Sequence, residues 1–258
     1  MKCMHRMCAR AVSLTICLTL ATAAATAQTC TPPPELRSTL RDQPGAPVYN
    51  DLGVWFADHQ QYDCAATAFG SSLQADPQQR DLPHVVFMFG SALYLSGDIK
   101  EAIPSLREAE RLGYRDEKIH AILASALDAK PSRPEAEAEW RQALEFDPDS
   151  TSALDALSAD LLADGDYKGV IETLDQPRLA GQRSAQQTLN LATTYLKTGK
   201  LDRAAVILQD GLNTHPDSVE IAQQLAAVLT QLGREEEAAA VLQLAQARQR
   251  DLQEDPAE

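Results

Sequence analysis

Proline recurs at a nearly fixed interval in this chain, each time after a run of residues that favours a helix. Pro77, Pro148 and Pro216 stand in the sequences QADP, EFDP and NTHP. The last two prolines are 68 residues apart, twice 34, and the first two are 71 apart. Because proline lacks an N–H and disfavours helical backbone in the residue before it, it ends a helix. The interval therefore predicts a helical unit of 34 residues that is repeated along the chain.

Six units fit this interval when the proline is given position 32 of the unit. They start at Ala46, Pro83, Glu117, Thr151, Ala185 and Val219. The last five starts are each 34 residues apart, and the first gap is 37, with the extra residues near 80–82. An ordinary helical bundle would share the apolar spacing but would not keep one register through six units. The sequence therefore favours a series of stacked helical pairs.

Small and large side chains alternate on the same frame. Position 8 is small in every unit: Gly53, Gly90, Ala124, Ser158, Ala192 and Ala226. Position 20 is small in all units but the fourth: Ala65, Ala102, Ala136, Val170, Ala204 and Ala238. Positions 7, 11 and 24 carry large side chains. Two helices approach to about 8–10 Å only where a side chain at their crossing is small, so each unit is predicted to be a closely packed pair.

This alternation resembles that of the tetratricopeptide repeat family over about 210 residues. The resemblance implies an all-α fold, a right-handed α-solenoid of about six helix-turn-helix repeats over residues 46–253. Glycine is expected in the turn inside a unit, at Gly97, Gly165, Gly199 and Gly233. Unit 4 departs from the pattern, because Val170 replaces the small residue and Pro177 interrupts the second half. Its second helix is therefore expected to end early, near Asp175.

The two ends of the chain differ from the repeats. Residues 1–27 have a basic start, an apolar stretch and an Ala-Thr-Ala cleavage site, which is the layout of a secretory signal peptide. A weak N-terminal anchor is the alternative, and the residues before Cys30 fit a lipoprotein signal poorly. An exported protein of a bacterial periplasm, without membrane insertion after signal removal, is expected. Residues 28–45 are expected to carry a short capping helix, and residues 254–258 a frayed tail.

Two cysteines remain after the predicted cleavage. Cys30 and Cys64 form an even pair, and an oxidising compartment favours a disulfide between them. Two unpaired thiols are the alternative. The formal charge of the whole chain is −14. Such a surface repels nucleic acid and anionic lipid, so neither is expected as a partner.

No pattern of catalytic or metal-binding residues is present in the sequence. His59, His84, His120 and His215 are scattered, and no H-E-x-x-H, G-x-S-x-G or phosphate-binding loop occurs. Glu135 and Glu139 share a helical face, but no third cation ligand follows from the sequence. We therefore expect no enzymatic activity, no catalytic residues, no metal site and no cofactor.

A binding surface is the remaining prediction. In the family that the sequence resembles, the first helices line a concave groove through positions 2, 5, 9, 12 and 13, with position 6 nearby. The resemblance places these residues there: Asn50, Val54, Phe87, Ser91, Tyr94, Asp128, Leu189, Asn190, Thr193 and Leu196. Phe87, Tyr94, Leu189 and Leu196 are expected to be exposed apolar residues, which mark a binding site.

The sequence therefore predicts a non-enzymatic scaffold or adaptor of the cell envelope that holds a peptide or helix of another protein. Two alternatives remain open at this stage. The chain could assemble with copies of itself through an open end of the solenoid, because a stacked repeat has an unpaired face at each end. It could also bind a glycan or another small ligand, for which only a few aromatic residues are available.

Overall fold

The computed structural model describes residues 30–128 and 133–254 of the chain. Within these ranges the backbone forms thirteen α-helices and one 3-10 turn, and contains no strand. The predicted all-α class is confirmed. The predicted signal peptide 1–27 and the tail beyond residue 254 lie outside the described residues.

A short helix, α1 (Pro34–Asp42), precedes six helical hairpins. The first helices of the hairpins are α2 (Ala46–Asp58), α4 (Leu82–Ser96), α6 (Glu117–Asp128), α8 (Thr151–Asp164), α10 (Ala185–Lys197) and α12 (Val219–Gln231). The second helices are α3 (Tyr62–Ala75), α5 (Ile99–Arg111), α7 (Arg133–Phe146), α9 (Tyr167–Leu174), α11 (Leu201–Thr214) and α13 (Glu235–Glu254). Five first helices begin at the residue that starts a predicted unit, and α4 begins one residue earlier. The hairpins pack on one another in chain order, which makes residues 32–254 an α-solenoid.

Close helix crossings explain the small residues of the repeat. A Cβ atom added to Gly53 would lie 2.5 Å from the ring of Phe69, and one added to Gly90 would lie 2.9 Å from Leu106. Ala124, at the same position 8 of unit 3, and Ala136, at position 20 of that unit, are fully buried. Because real Cβ contacts are never that short, a larger residue at either glycine would push the paired helices apart.

Left-handed glycines make the turns between paired helices, as predicted. Their φ angles lie between +74° and +91°, at Gly97, Gly165, Gly199 and Gly233. Asp98 follows the first of these and caps α5 by accepting a hydrogen bond from the backbone N–H of Glu101. The glycine thus ends the first helix, and the aspartate starts the second.

The second helix of unit 4 is short, as the sequence predicted. Helix α9 has 8 residues and ends at Leu174, and a 3-10 turn at Pro177–Leu179 follows it. Arg183 occupies the space that this leaves, with its side chain only 7% exposed. Its Nε donates to the carbonyl of Leu174 at 2.9 Å, and its guanidinium lies 3.7 Å from both Asp175 and Asp210. A buried, charge-assisted network therefore replaces the missing helical turns.

A disulfide joins Cys30 to Cys64 on α3, as predicted. Helix α1 packs through Leu36 and Leu40 against the apolar core of the first hairpin. Among the described residues, no helix combines the length and hydropathy that crossing a bilayer requires.

Candidate functional site

First helices contact one another directly at three of the junctions between neighbouring hairpins. Helix α4 contacts α6, α8 contacts α10, and α10 contacts α12, and these contacts are more extensive than any between neighbouring second helices. At these three junctions the hairpins are therefore closest on the side of their first helices. We call the outward side chains at repeat positions 2, 5, 9, 12 and 13 of these helices the first-helix surface.

Most of the predicted groove residues are accessible on this surface. Val54 and Asp128 are exposed, and five others are half-buried: Asn50, Ser91, Tyr94, Thr193 and Leu196. Asn50 donates its amide to the side chain of Gln79 at 2.9 Å. The first-helix surface therefore has polar and apolar side chains that a ligand could reach.

Phe87, Leu189 and Asn190 are buried, and the expectation that Phe87 and Leu189 are exposed was wrong. The Phe87 ring is 6% exposed and stacks on Tyr114, with ring centroids 4.3 Å apart. Leu189 belongs to the core of the C-terminal units. Asn190 donates its amide to the hydroxyl of Ser158 at 2.9 Å, a bond that joins α10 to α8. These three side chains hold neighbouring hairpins together.

Two exposed aliphatic side chains supply the apolar part of the surface. Val54, at position 9 of unit 1, is 44% exposed, and Leu95, at position 13 of unit 2, is 52% exposed. Half-buried Tyr94 precedes Leu95 on the same helix. The N-terminal units therefore offer apolar contacts to a partner.

A pair of carboxylates makes the middle of the surface acidic. Asp128 ends α6 and accepts a hydrogen bond from Trp140 Nε1 at 3.2 Å. Asp160, on α8, has its pKa raised to about 6 by burial and then by the negative charge of Asp128. Glu137 raises this pKa further, and Arg133 opposes the rise. Sequence reasoning missed Asp160 because position 10 of a repeat is not among the groove positions of the family.

Small side chains run along the surface at position 9. They are Ser91, Ser125, Ala159, Thr193 and Ala227. Ser91 and Ser125 each donate their hydroxyl to a backbone carbonyl four residues earlier, at 2.8 Å. These side chains therefore stay close to their own helices and leave room for an approaching chain.

The fold and this surface define a class of protein, the helical-repeat α-solenoid. Models of the tetratricopeptide repeat match residues 87–151 and 195–257. The two matched segments cover parts of units 2 and 3 and of units 5 and 6. These two segments of the chain therefore match tetratricopeptide repeats.

Solved structures confirm the fold. A tetratricopeptide repeat protein from Parabacteroides merdae superposes with a TM-score of 0.60 at 16% identity, over 76% of this chain and 77% of that one. YrrB, a tetratricopeptide repeat protein with an unusual peptide-binding site, gives 0.56 at 16% identity, over 72% and 95%. A double mutant of MamA RS-1 gives 0.56 at 18% identity, over 66% and 95%. No curated protein matches the sequence.

Proposed function

We propose that the chain is a non-enzymatic scaffold that binds a segment of another protein on its first-helix surface. The observation that carries the proposal is the combination of apolar and acidic side chains on this one surface. Val54 and Leu95 are exposed aliphatic residues, and Asp128 is an exposed carboxylate. The peptide-binding site of YrrB, which has the same kind of fold, supports the proposal.

The partner segment is expected to carry apolar and basic residues. An apolar side chain of the partner would cover Val54 or Leu95 and remove their surface from water. A lysine or arginine of the partner would approach Asp128. The negative charge of Asp128 already raises the pKa of the neighbouring Asp160. A cation there relieves the repulsion between the two carboxylates, and the net charge of −14 attracts basic segments over longer distances.

Rigid helices reduce the conformational entropy that the scaffold loses on binding. The side chains of the surface are carried by helices that pack against their neighbours in the solenoid. Little of the scaffold's backbone therefore has to become ordered when the partner binds. The partner segment then bears most of the entropic cost of association. The basic start and apolar stretch of residues 1–27, together with the Cys30–Cys64 disulfide, support a place in the cell envelope for this scaffold.

Site-specific photocrosslinking in intact cells tests the proposal. A photoreactive amino acid replaces Leu95 or Asp128 on the first-helix surface, and in control variants it replaces exposed Thr67 on α3 or Gln209 on α11. We expect the same protein to be attached from the first two positions and from neither control, as identified by mass spectrometry. Addition of Asp128→Lys should reduce attachment from Leu95.

Two results would contradict the proposal. Equal capture from the first and second helices would show that the first-helix surface is not the binding surface. Attachment of the chain only to its own copies would indicate self-assembly instead.

A further inference from the structure

Three ionisable side chains from three consecutive helices converge beneath the surface formed by units 2 and 3. They are Glu110 on α5, His120 on α6 and Glu139 on α7. Their ligand atoms all lie within 4.8 Å of one another. In the sequence His120 stands apart from other ligand residues and Glu139 shares a helical face with Glu135, so the fold supplies a combination that the sequence did not indicate.

Both carboxylates approach the same nitrogen atom. His120 Nδ1 lies 2.9 Å from a carboxylate oxygen of Glu139 and 3.3 Å from one of Glu110. Four ligands at about 2.0–2.2 Å around a tetrahedral zinc ion are about 3.3–3.5 Å apart. The two distances are therefore close to the edges of such a tetrahedron, and small side-chain shifts would complete it.

The surroundings hold the imidazole in place and exclude most water. The His120 side chain is 8% exposed, and its ring stacks on Phe146 with centroids 5.4 Å apart. The two glutamates are only partly exposed, at 25% for Glu110 and 19% for Glu139. A metal ligand that is fixed by packing pays little entropy on binding, which favours a built site over a chance grouping of surface charges.

The charges of the group are not balanced without a cation. One Nδ1–H can donate a good hydrogen bond to only one carboxylate, so the second faces the charge of the first. Burial, followed by the negative charge of Glu139, raises the pKa of Glu110. A bound divalent ion would coordinate both carboxylates and the deprotonated Nδ1 together.

The neighbouring arginines offset the negative charge of the group only in part: Arg115 and Arg107 lower the pKa of Glu110, against the larger effect of burial. Arg107 donates to Glu135 at 2.8 Å, and Arg111 pairs with Glu108. Arg115 donates to two backbone carbonyls, those of Glu110 and Tyr114. These arginines line a cavity of about 540 Å³ that opens on Glu110 and His120. The cavity gives an ion a route of entry and leaves space for a water ligand.

We propose that Glu110, His120 and Glu139 bind one divalent transition-metal ion, of which Zn²⁺ is the first candidate. An imidazole with two carboxylates suits zinc and its neighbours in the first transition row. It suits Ca²⁺ and Mg²⁺ poorly, because these ions take only oxygen ligands. The ion would tie α5, α6 and α7 together and so stabilise the junction between units 2 and 3.

Titration of the full chain with zinc tests this proposal. The chain is freed of metal with a chelator, and ZnCl₂ is then added in a calorimeter near pH 7.5. We expect one Zn²⁺ per chain, with no binding in His120→Gln and binding weakened at least about tenfold in Glu110→Gln and Glu139→Gln. Thermal unfolding should shift to higher temperature with Zn²⁺ but not with Ca²⁺ or Mg²⁺.

Two control variants separate this site from chance binding. Glu135→Gln changes an exposed carboxylate one turn away on α7, and His59→Gln changes an exposed imidazole on α2. Both should bind zinc as the unchanged chain does. Circular dichroism shows whether His120→Gln folds. If it does not, the zinc affinities of Glu110→Gln and Glu139→Gln decide whether the proposal holds.

The proposal is overturned if the unchanged chain binds no zinc at one equivalent. It is also overturned if the three ligand variants bind zinc as tightly as the controls. Either result would leave the contacts of His120 Nδ1 with the two carboxylates as the explanation of the cluster.

Discussion

The volume of one side chain sets how closely the helices of a hairpin approach. Ala136, at position 20 of unit 3, is fully buried in the core shared by units 2 and 3. A leucine there would add three carbon atoms to a packed crossing. Because cores resist added volume, we expect Ala136→Leu to lower the free energy of unfolding by about 1–3 kcal/mol, measured by urea denaturation.

Ala138 offers the matched control for this change. It lies two residues further along α7 and is exposed. Ala138→Leu should change the free energy of unfolding by no more than about 0.5 kcal/mol. Equal effects of the two leucine variants would mean that the repeat frame is wrongly placed on α7.

The neighbouring carboxylates of Asp128 and Asp160 make the stability depend on pH. The pKa of Asp160 rises from an ordinary value of 3.8 to about 6 in the folded chain. The folded state therefore binds the Asp160 proton more tightly than the unfolded state does. This difference stabilises the fold fully below about pH 4. The stabilisation is lost as the pH rises through about 6. Asp128, Glu137 and Arg133 are the charged groups that act on it.

Asp160→Asn removes this titration and the repulsion from Asp128. We expect the variant to be more stable than the unchanged chain at pH 8, and the difference to shrink or reverse at pH 4. Urea denaturation at both pH values measures it, with Asp58→Asn on α2 as an exposed-carboxylate control. A gain that is the same at both pH values would refute the raised pKa.

At the scale of the element, unit 4 shows how the solenoid accommodates a shortened helix. Helix α9 stops at Leu174, and the chain returns to α10 through a 3-10 turn. Arg183 then donates a hydrogen bond to the carbonyl of Leu174, which lies at the end of α9. The backbone carbonyl of Arg183 accepts a hydrogen bond from His215 Nε2 at 2.7 Å, which links this segment to unit 5.

Loss of the Arg183 guanidinium should therefore weaken this junction. Arg183→Met keeps the apolar length of the side chain but leaves the Leu174 carbonyl without its donor. We expect a loss of about 1.5–3 kcal/mol in the free energy of unfolding, as for hydrogen bonds to charged groups. Arg178→Met, in the exposed 3-10 turn, should cost less than about 1 kcal/mol. If the two methionine variants lose the same stability, the buried network has no special role.

Features of the sequence that act locally predicted the elements well. Proline and glycine determine within a few residues where one helix ends and the next can begin. The 34-residue frame therefore gave the starts of α6, α8 and α10. Contacts of a helix with connecting segments and with other units were harder to foresee. Phe87 is buried because Tyr114, in the connection between α5 and α6, stacks on it. No periodic pattern on α4 alone carries that information.

The same reason explains the missed polar groups. Asp128 and Asp160 are 32 positions apart, and each looks like an ordinary surface carboxylate in its own helix. Glu110, His120 and Glu139 come from three helices and meet only when two hairpins stack. Such combinations depend on the packing of neighbouring units, which the sequence of one unit does not specify.

At the scale of the whole molecule, stacking brings first helices of several neighbouring hairpins into contact. Contacts between α4 and α6, and between α8 and α10, connect separate helices into one surface. A partner segment that crosses this surface would touch side chains from several units at once. The proposed binding surface therefore depends on the repeat order rather than on any single hairpin.

Hydrogen exchange of the chain, alone and with the partner identified by crosslinking, tests this account most directly. We predict slower exchange in several first helices, above all α4 and α6, while the second helices α3, α5 and α11 exchange as before. Protection confined to the second helices would contradict the account, because the partner would then occupy the opposite side of the solenoid.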